Sequence, residues 1–143
     1  MKKLLILLLS VFVLAACSGD VYEGETADFA VLNLQKDFVK ELTDLQMVEV
    51  SETQQFAVFR AVISGEPEIF TAYVEEKEGK WRVMEAIAIG HETTDDLPPA
   101  KGEFIEGEII DATTDTTEVQ LVDGVYIFNL PTSDRAVTVK FKE

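Results

Sequence analysis

Thirteen apolar or small residues run without interruption from Leu4 to Ala16 and stop at Cys17, the only cysteine of the 143-residue chain. Lys2 and Lys3 precede the run. A membrane-spanning helix needs about 20 apolar residues. A core of about 10–14, behind a positive start and before small residues, has the build of a secretory signal. This feature limits the fold in two ways. It removes residues 1–16 from the folded protein, and it leaves an exported chain with no second thiol for an internal disulfide. Stability must then come from the core alone.

An ordinary cleavage site has small residues at its −3 and −1 positions and needs no cysteine. Here Leu14, Ala15 and Ala16 lead directly into Cys17, followed by Ser18 and Gly19. The segment Leu14-Ala15-Ala16-Cys17 resembles the lipobox of bacterial lipoproteins. That resemblance implies cleavage between Ala16 and Cys17, a diacylglyceryl group on the Cys17 thiol, and a further acyl chain on its new amino group. One acyl chain binds a membrane marginally, whereas two or more anchor a protein stably. The implied location is the extracytoplasmic face of the cell membrane. In a bacterium with two membranes it is the outer membrane, because Ser18 and not aspartate follows the cysteine.

Cleavage would leave 10 basic against 27 acidic residues, a net charge of −17. A nucleic-acid binder needs basic patches that displace counterions from phosphates, so that class is excluded. A polybasic face for docking on anionic lipid is excluded on the same ground. The acidity reads as a solvated surface, or as one that attracts cations or a basic partner.

The mature length allows one domain or two very small ones. Residues 17–26 read as the lipidated cysteine and a short polar tether, and 27–90 as a first unit. Residues 91–102, with Pro98-Pro99 and Asp95-Asp96, read as a linker, and 103–143 as a small β-rich unit. Within 27–90, Val31, Leu34, Phe38, Leu42 and Leu45 recur at steps of three and four, which predicts an amphipathic helix over 27–45. The period then changes to two. Strands are predicted at 55–63, 69–76 and 81–89, with a short edge strand at 47–50 and a hairpin turn at Glu78-Gly79. In the second unit, strands are predicted at 104–110, 118–122, 125–130 and 136–141. Asp123-Gly124 gives the strongest hairpin signal. The expected class is therefore α+β: one N-terminal amphipathic helix, an antiparallel meander, and a small β-sandwich-like unit. About 40 residues make a marginal domain alone, so the second unit is expected to pack on the first or on a partner.

The hairpin from Tyr73 to Val83, with its charged Gly turn and Trp81-Arg82-Val83, is similar to hairpins of exported cystatin-like and NTF2-like domains. The segment Gly124 to Pro131 resembles the last hairpin of exported immunoglobulin-like or transthyretin-like sandwiches. Such folds host binding modules, oligomerisation units and some enzymes, so the likeness selects no function.

Catalytic chemistry finds little support. The only thiol is assigned to lipid. The sole histidine, His91, lies in the linker beside Glu92, and no serine sits in a G-x-S-x-G context. No His/Cys cluster offers a transition-metal site. The segment Asp111 to Glu118 carries three carboxylates and four hydroxyls. It lacks the glycine and the spacing of the known calcium loop, and a polar turn is the simpler reading. Asp95-Asp96 beside Glu92 is weaker still. Phe56, Phe59, Phe70, Tyr73 and Trp81 could line a ligand groove, but alternation on strands favours a core role. No catalytic residue, metal ligand or cofactor is assigned. The expected function is a non-enzymatic, lipid-anchored binding or interaction module of the cell envelope. Its partners would be membrane lipid through Cys17 and an envelope protein or ligand, with no nucleic acid. The alternatives are an extracytoplasmic calcium-binding protein and a small NTF2-like hydrolase or isomerase.

Overall fold

The computed structural model describes residues 22–63, 65–89, 102–130 and 133–142. The expected signal peptide, Cys17, His91, Glu92, Asp95 and Asp96 lie outside these residues, as does the expected linker except for Gly102.

The chain forms strand β1 (Glu23–Gly24), helix α1 (Ala27–Leu32) and a 3₁₀ turn (Asn33–Lys36). Four strands follow: β2 (Lys40–Ser51), β3 (Gln54–Val62), β4 (Glu68–Lys77) and β5 (Lys80–Ala88). The remaining strands are β6 (Glu103–Asp111), β7 (Glu118–Val122), β8 (Val125–Asn129) and β9 (Arg135–Lys142). They make two antiparallel sheets. The first has the order β1-β5-β4-β3-β2 and the second β6-β9-β8-β7. The expected α+β class is thus corrected. Among the described residues the protein is mostly β, with one six-residue helix, and the amphipathic helix predicted over 27–45 does not form.

The reason lies in β2. Its register against β3 slips by one residue between Lys40 and Thr43, and again between Thr43 and Gln46. Glu41 and Asp44 take positive φ, 52° and 56°, at these two bulges. Each bulge adds one residue, so side chains three apart return to the same face. Val39, Leu42, Leu45 and Met47 therefore all point to one side of the sheet. A step of three on a doubly bulged strand imitates the step of a helix. The pairing of β2 with β3 satisfies the backbone while both faces of β2 pack on apolar neighbours. That outweighs helix propensity, which is a weak determinant.

Alternation along β3 and β4 then builds two cores. Ala57, Phe59, Ala61, Phe70, Ala72 and Val74 face α1 and the 3₁₀ turn, where they meet Ala27, Ala30 and Val31 of the helix and Leu34 of the turn. Small residues let the helix come close, and Phe59 and Phe70 stack with centroids 5.3 Å apart. Phe56, Val58, Ile69, Tyr73, Ile87 and Ile89 face the opposite way. They pack against Val119, Tyr126, Phe128, Leu130, Val137 and Val139 of the second sheet. The layers are helix, first sheet, second sheet. Among the described residues no strand ladder joins the two sheets, but they share one core. Thr71 is buried on this face and satisfies its hydroxyl by donating to the Ala57 carbonyl at 2.8 Å.

A bulge at Met84 breaks the alternation of faces along β5. Tyr73 pairs with Glu85 but Val74 with Val83, leaving Met84 as the extra residue. Trp81 and Val83 consequently join the helix-side core, while Ile87 and Ile89 join the core between the sheets.

Part of the expected tether is built into the fold. Glu23 and Gly24 pair with Arg82 and Trp81, and the Val83 amide donates to the Tyr22 carbonyl at 3.0 Å. Glu23 also lies 2.8 Å from the Arg82 guanidinium. Helix α1 crosses β1 so closely that a Cβ on Gly24 would stand 2.5 Å from the Ala30 nitrogen.

Candidate functional site

The aromatic residues singled out as a possible groove are structural. Phe56, Phe59, Phe70 and Tyr73 are buried in the two cores, and Trp81 packs at the margin of the helix-side core. Phe56 and Tyr73 contact each other at 5.5 Å between centroids. Burial raises the Tyr73 hydroxyl above its ordinary pKa, and the Glu75 charge adds to this, against a lowering by the hydrogen bond from Gln54.

Several polar groups of the acidic loop between β6 and β7 are engaged by neighbouring strands. The Asp111 carboxylate is 2.7 Å from Arg135, and Glu118 accepts from Gln120 at 2.7 Å. The carbonyls of Thr114 and Thr116 both accept from the side-chain amide of Asn129, which is buried, at 2.7 and 2.8 Å. The Thr114 hydroxyl accepts from the Thr116 amide and contacts the Thr116 hydroxyl. The loop is a polar turn pinned by Asn129. Among the described residues, no group of three or more His, Cys, Asp or Glu side chains is placed to hold a metal.

A different feature stands out. An open groove of about 190 Å³ lies along β5, next to the residues that pair with β1. Tyr22, Leu34, Phe38 and Val83 to Ala86 line it. Phe38 leads into β2 and keeps one edge of its ring against Phe70, with centroids 6.3 Å apart, yet remains 39% exposed. Met84, turned outward by the bulge, is 38% exposed. Phe29 on α1, whose Cβ lies against Gly24 of β1, is 60% exposed. Lys36 and Lys40 flank Phe38 and are exposed, as are Asp28 and Asp37.

The groove carries one carboxylate, Glu85, which accepts from Thr117 at 2.8 Å and so joins β5 to the start of the second sheet's hairpin. That composition suits contact with apolar groups rather than proton transfer between paired acids. Sequence reasoning missed these residues for identifiable reasons. The spacing of apolar residues puts Phe38 on a helix stripe, and no local signal marks the bulge that turns Met84 outward. The one usable signal was Phe29 itself, which lies off the stripe of Val31 and Leu34.

Among the described residues, no helix is long and apolar enough to cross a membrane. No protein-family model matches the chain, and no curated protein or solved structure matches it.

Proposed function

We propose that this chain is a lipid-anchored protein of the bacterial cell envelope, held by an acylated Cys17 and acting as a non-enzymatic binding or interaction module. The observation that carries the reading is the segment Leu14-Ala15-Ala16-Cys17 at the end of an apolar run behind Lys2 and Lys3. The lack of any second cysteine fits it, because the remaining chain builds its stability from two apolar cores and needs no disulfide. Tyr22, whose carbonyl accepts from the Val83 amide, is five residues after Cys17, so an anchored domain sits close to the bilayer.

The test is the substitution Cys17→Ala in the full chain, expressed in a bacterial host. The unaltered protein is expected in the membrane fraction, with the mass of a diacylglyceryl-cysteine chain lacking residues 1–16. Cys17→Ala is expected to lose the acyl mass and the normal cleavage. Identical processing and fractionation of the two proteins would overturn the proposal.

A further inference from the structure

Three exposed apolar side chains lie beside the point where the described chain begins. Tyr22 lines the groove with Phe38 and Met84, and the Cβ of Phe29 lies against Gly24, two residues after Tyr22 in the chain. Exposed apolar residues gathered at one place mark a contact surface. What covers this one follows from the length of chain outside the structure. Five residues from Cys17 to Tyr22 span at most about 18 Å when fully extended. Acyl chains at Cys17 would therefore hold this corner of the domain at the bilayer, whatever path those residues take.

We propose that Phe29, Phe38 and Met84 form a second membrane contact, dipping into the headgroup region and fixing which face of the domain lies on the lipid. The proposal rests on the lipid-anchor reading above. Its chemistry is that of a phospholipid surface. Aromatic and thioether groups enter the apolar boundary; the exposed Lys36 and Lys40, two residues either side of Phe38 in the chain, can meet phosphate groups, while the exposed Asp28 and Asp37 beside Phe29 and Phe38 oppose them. The chain's strong negative charge opposes approach to anionic lipid, and that repulsion is screened beyond about 8–10 Å at ordinary salt. The contact should accordingly be firmest on zwitterionic lipid. On anionic lipid it should weaken, and recover as salt is raised.

The experiment uses the full chain, purified as the acylated protein and reconstituted into phosphatidylcholine vesicles. Acylation of Cys17 leaves no free thiol, so Phe29→Cys, Met84→Cys and Val122→Cys can each be labelled with a nitroxide at one position. Val122 is exposed on the second sheet, across the first sheet from α1, and serves as the control. The expected result is a severalfold rise in the ratio of oxygen to nickel-chelate accessibility at 29 and 84 on the vesicles, with no rise at 122. Phe38→Ser in the Met84→Cys protein should reduce the rise. Labels at 29 and 84 that stay as water-accessible as the label at 122, on vesicles that hold the protein, would overturn the proposal. A second labelled thiol would reveal an unacylated Cys17 and so the failure of the anchor reading. The same three labels are then read in the Cys17→Ser full chain mixed with excess vesicles. Lipid-like accessibility at 29 and 84 would still support the contact, and water-like accessibility would overturn it.

Discussion

The Arg60 guanidinium lies over the ring of Phe141, 5.5 Å from its centre, and so joins the edge of the shared core in one sheet to the last strand of the other. The same side chain donates to the Gly102 carbonyl and stands 3.6 Å from Asp44 at a β2 bulge. A cation over an aromatic ring contributes about 0.5–2 kcal/mol, depending on how far it is desolvated. Arg60→Met should therefore lower stability by about 1–2 kcal/mol. A double-mutant cycle with Phe141→Leu, followed by urea unfolding, should return a coupling of about 0.5–1 kcal/mol. Additive losses would show that the ring and the guanidinium do not interact in solution.

The two sheets share one core, so they should unfold together. Phe128 is fully buried on the second sheet and packs in the same cluster as Phe56 of the first. Phe128→Ala should cost about 3–5 kcal/mol. Amide exchange should then rise equally in β3 and β4 and in β8 and β9. Protection lost only in residues 103–142 would mean that the sheets fold independently.

Glu41 tests the bulged strand against the helix that the spacing suggests. It takes a φ of 52° and is exposed, as Glu78 does and is in the hairpin turn. Asparagine tolerates that conformation better than glutamate. Glu41→Asn and Glu78→Asn should each raise stability, by about 0.5–1 kcal/mol, and so move the urea midpoint upward. In a helix, Glu41→Asn would instead lower stability by a few tenths of a kcal/mol. A lowered midpoint for Glu41→Asn would refute the bulge.

Gly24 is constrained by close approach. An added methyl would stand 2.5 Å from the Ala30 nitrogen and 2.8 Å from the Phe29 Cβ, so α1 must move off β1. Gly24→Ala should cost about 1–3 kcal/mol. Gly79→Ala, where a Cβ meets open space but φ is 78°, should cost about 1 kcal/mol through backbone strain. Thermal melts that rank the two variants in the opposite order would contradict the crossing of α1 over β1.

Alkaline pH should expose the buried tyrosines. Burial raises the pKa of Tyr73 and of Tyr126 above the ordinary value of 10.0. The unfolded chain then gives up these protons first as pH rises. The stability they protect is fully present below pH 10.0 and is lost as pH climbs through the higher folded values. Tyr73→Phe keeps the ring but loses the hydrogen bond from Gln54. It should show a shallower loss of stability above pH 10.0 than the unaltered protein, measured by urea unfolding at stepped pH.

Local signals located most strands well. The turns at Glu78-Gly79 and Asp123-Gly124 both place positive φ at two successive residues, as a type I′ hairpin requires, and the flanking alternation fixes their strands. The faces of β4 could also be read, with Ile69 and Tyr73 toward one core and Phe70 and Val74 toward the other. The exposed surface was not legible in the same way. Phe38 and Met84 depend on where a helix stops and where a bulge falls, and pairing with another strand decides both.

By itself, the sequence determined the signal-like start and the single thiol. It also determined the positions of the hairpins, because charge, apolar length and turn chemistry act over a few neighbouring residues. Only the tertiary structure decided that residues 40–51 are a strand and not a helix. A spacing of three suits both, and the ladder with β3 settles it across residues far apart in the chain. The same long-range packing decided that two sheets close over one core, and that Phe29, Phe38 and Met84 remain outside it.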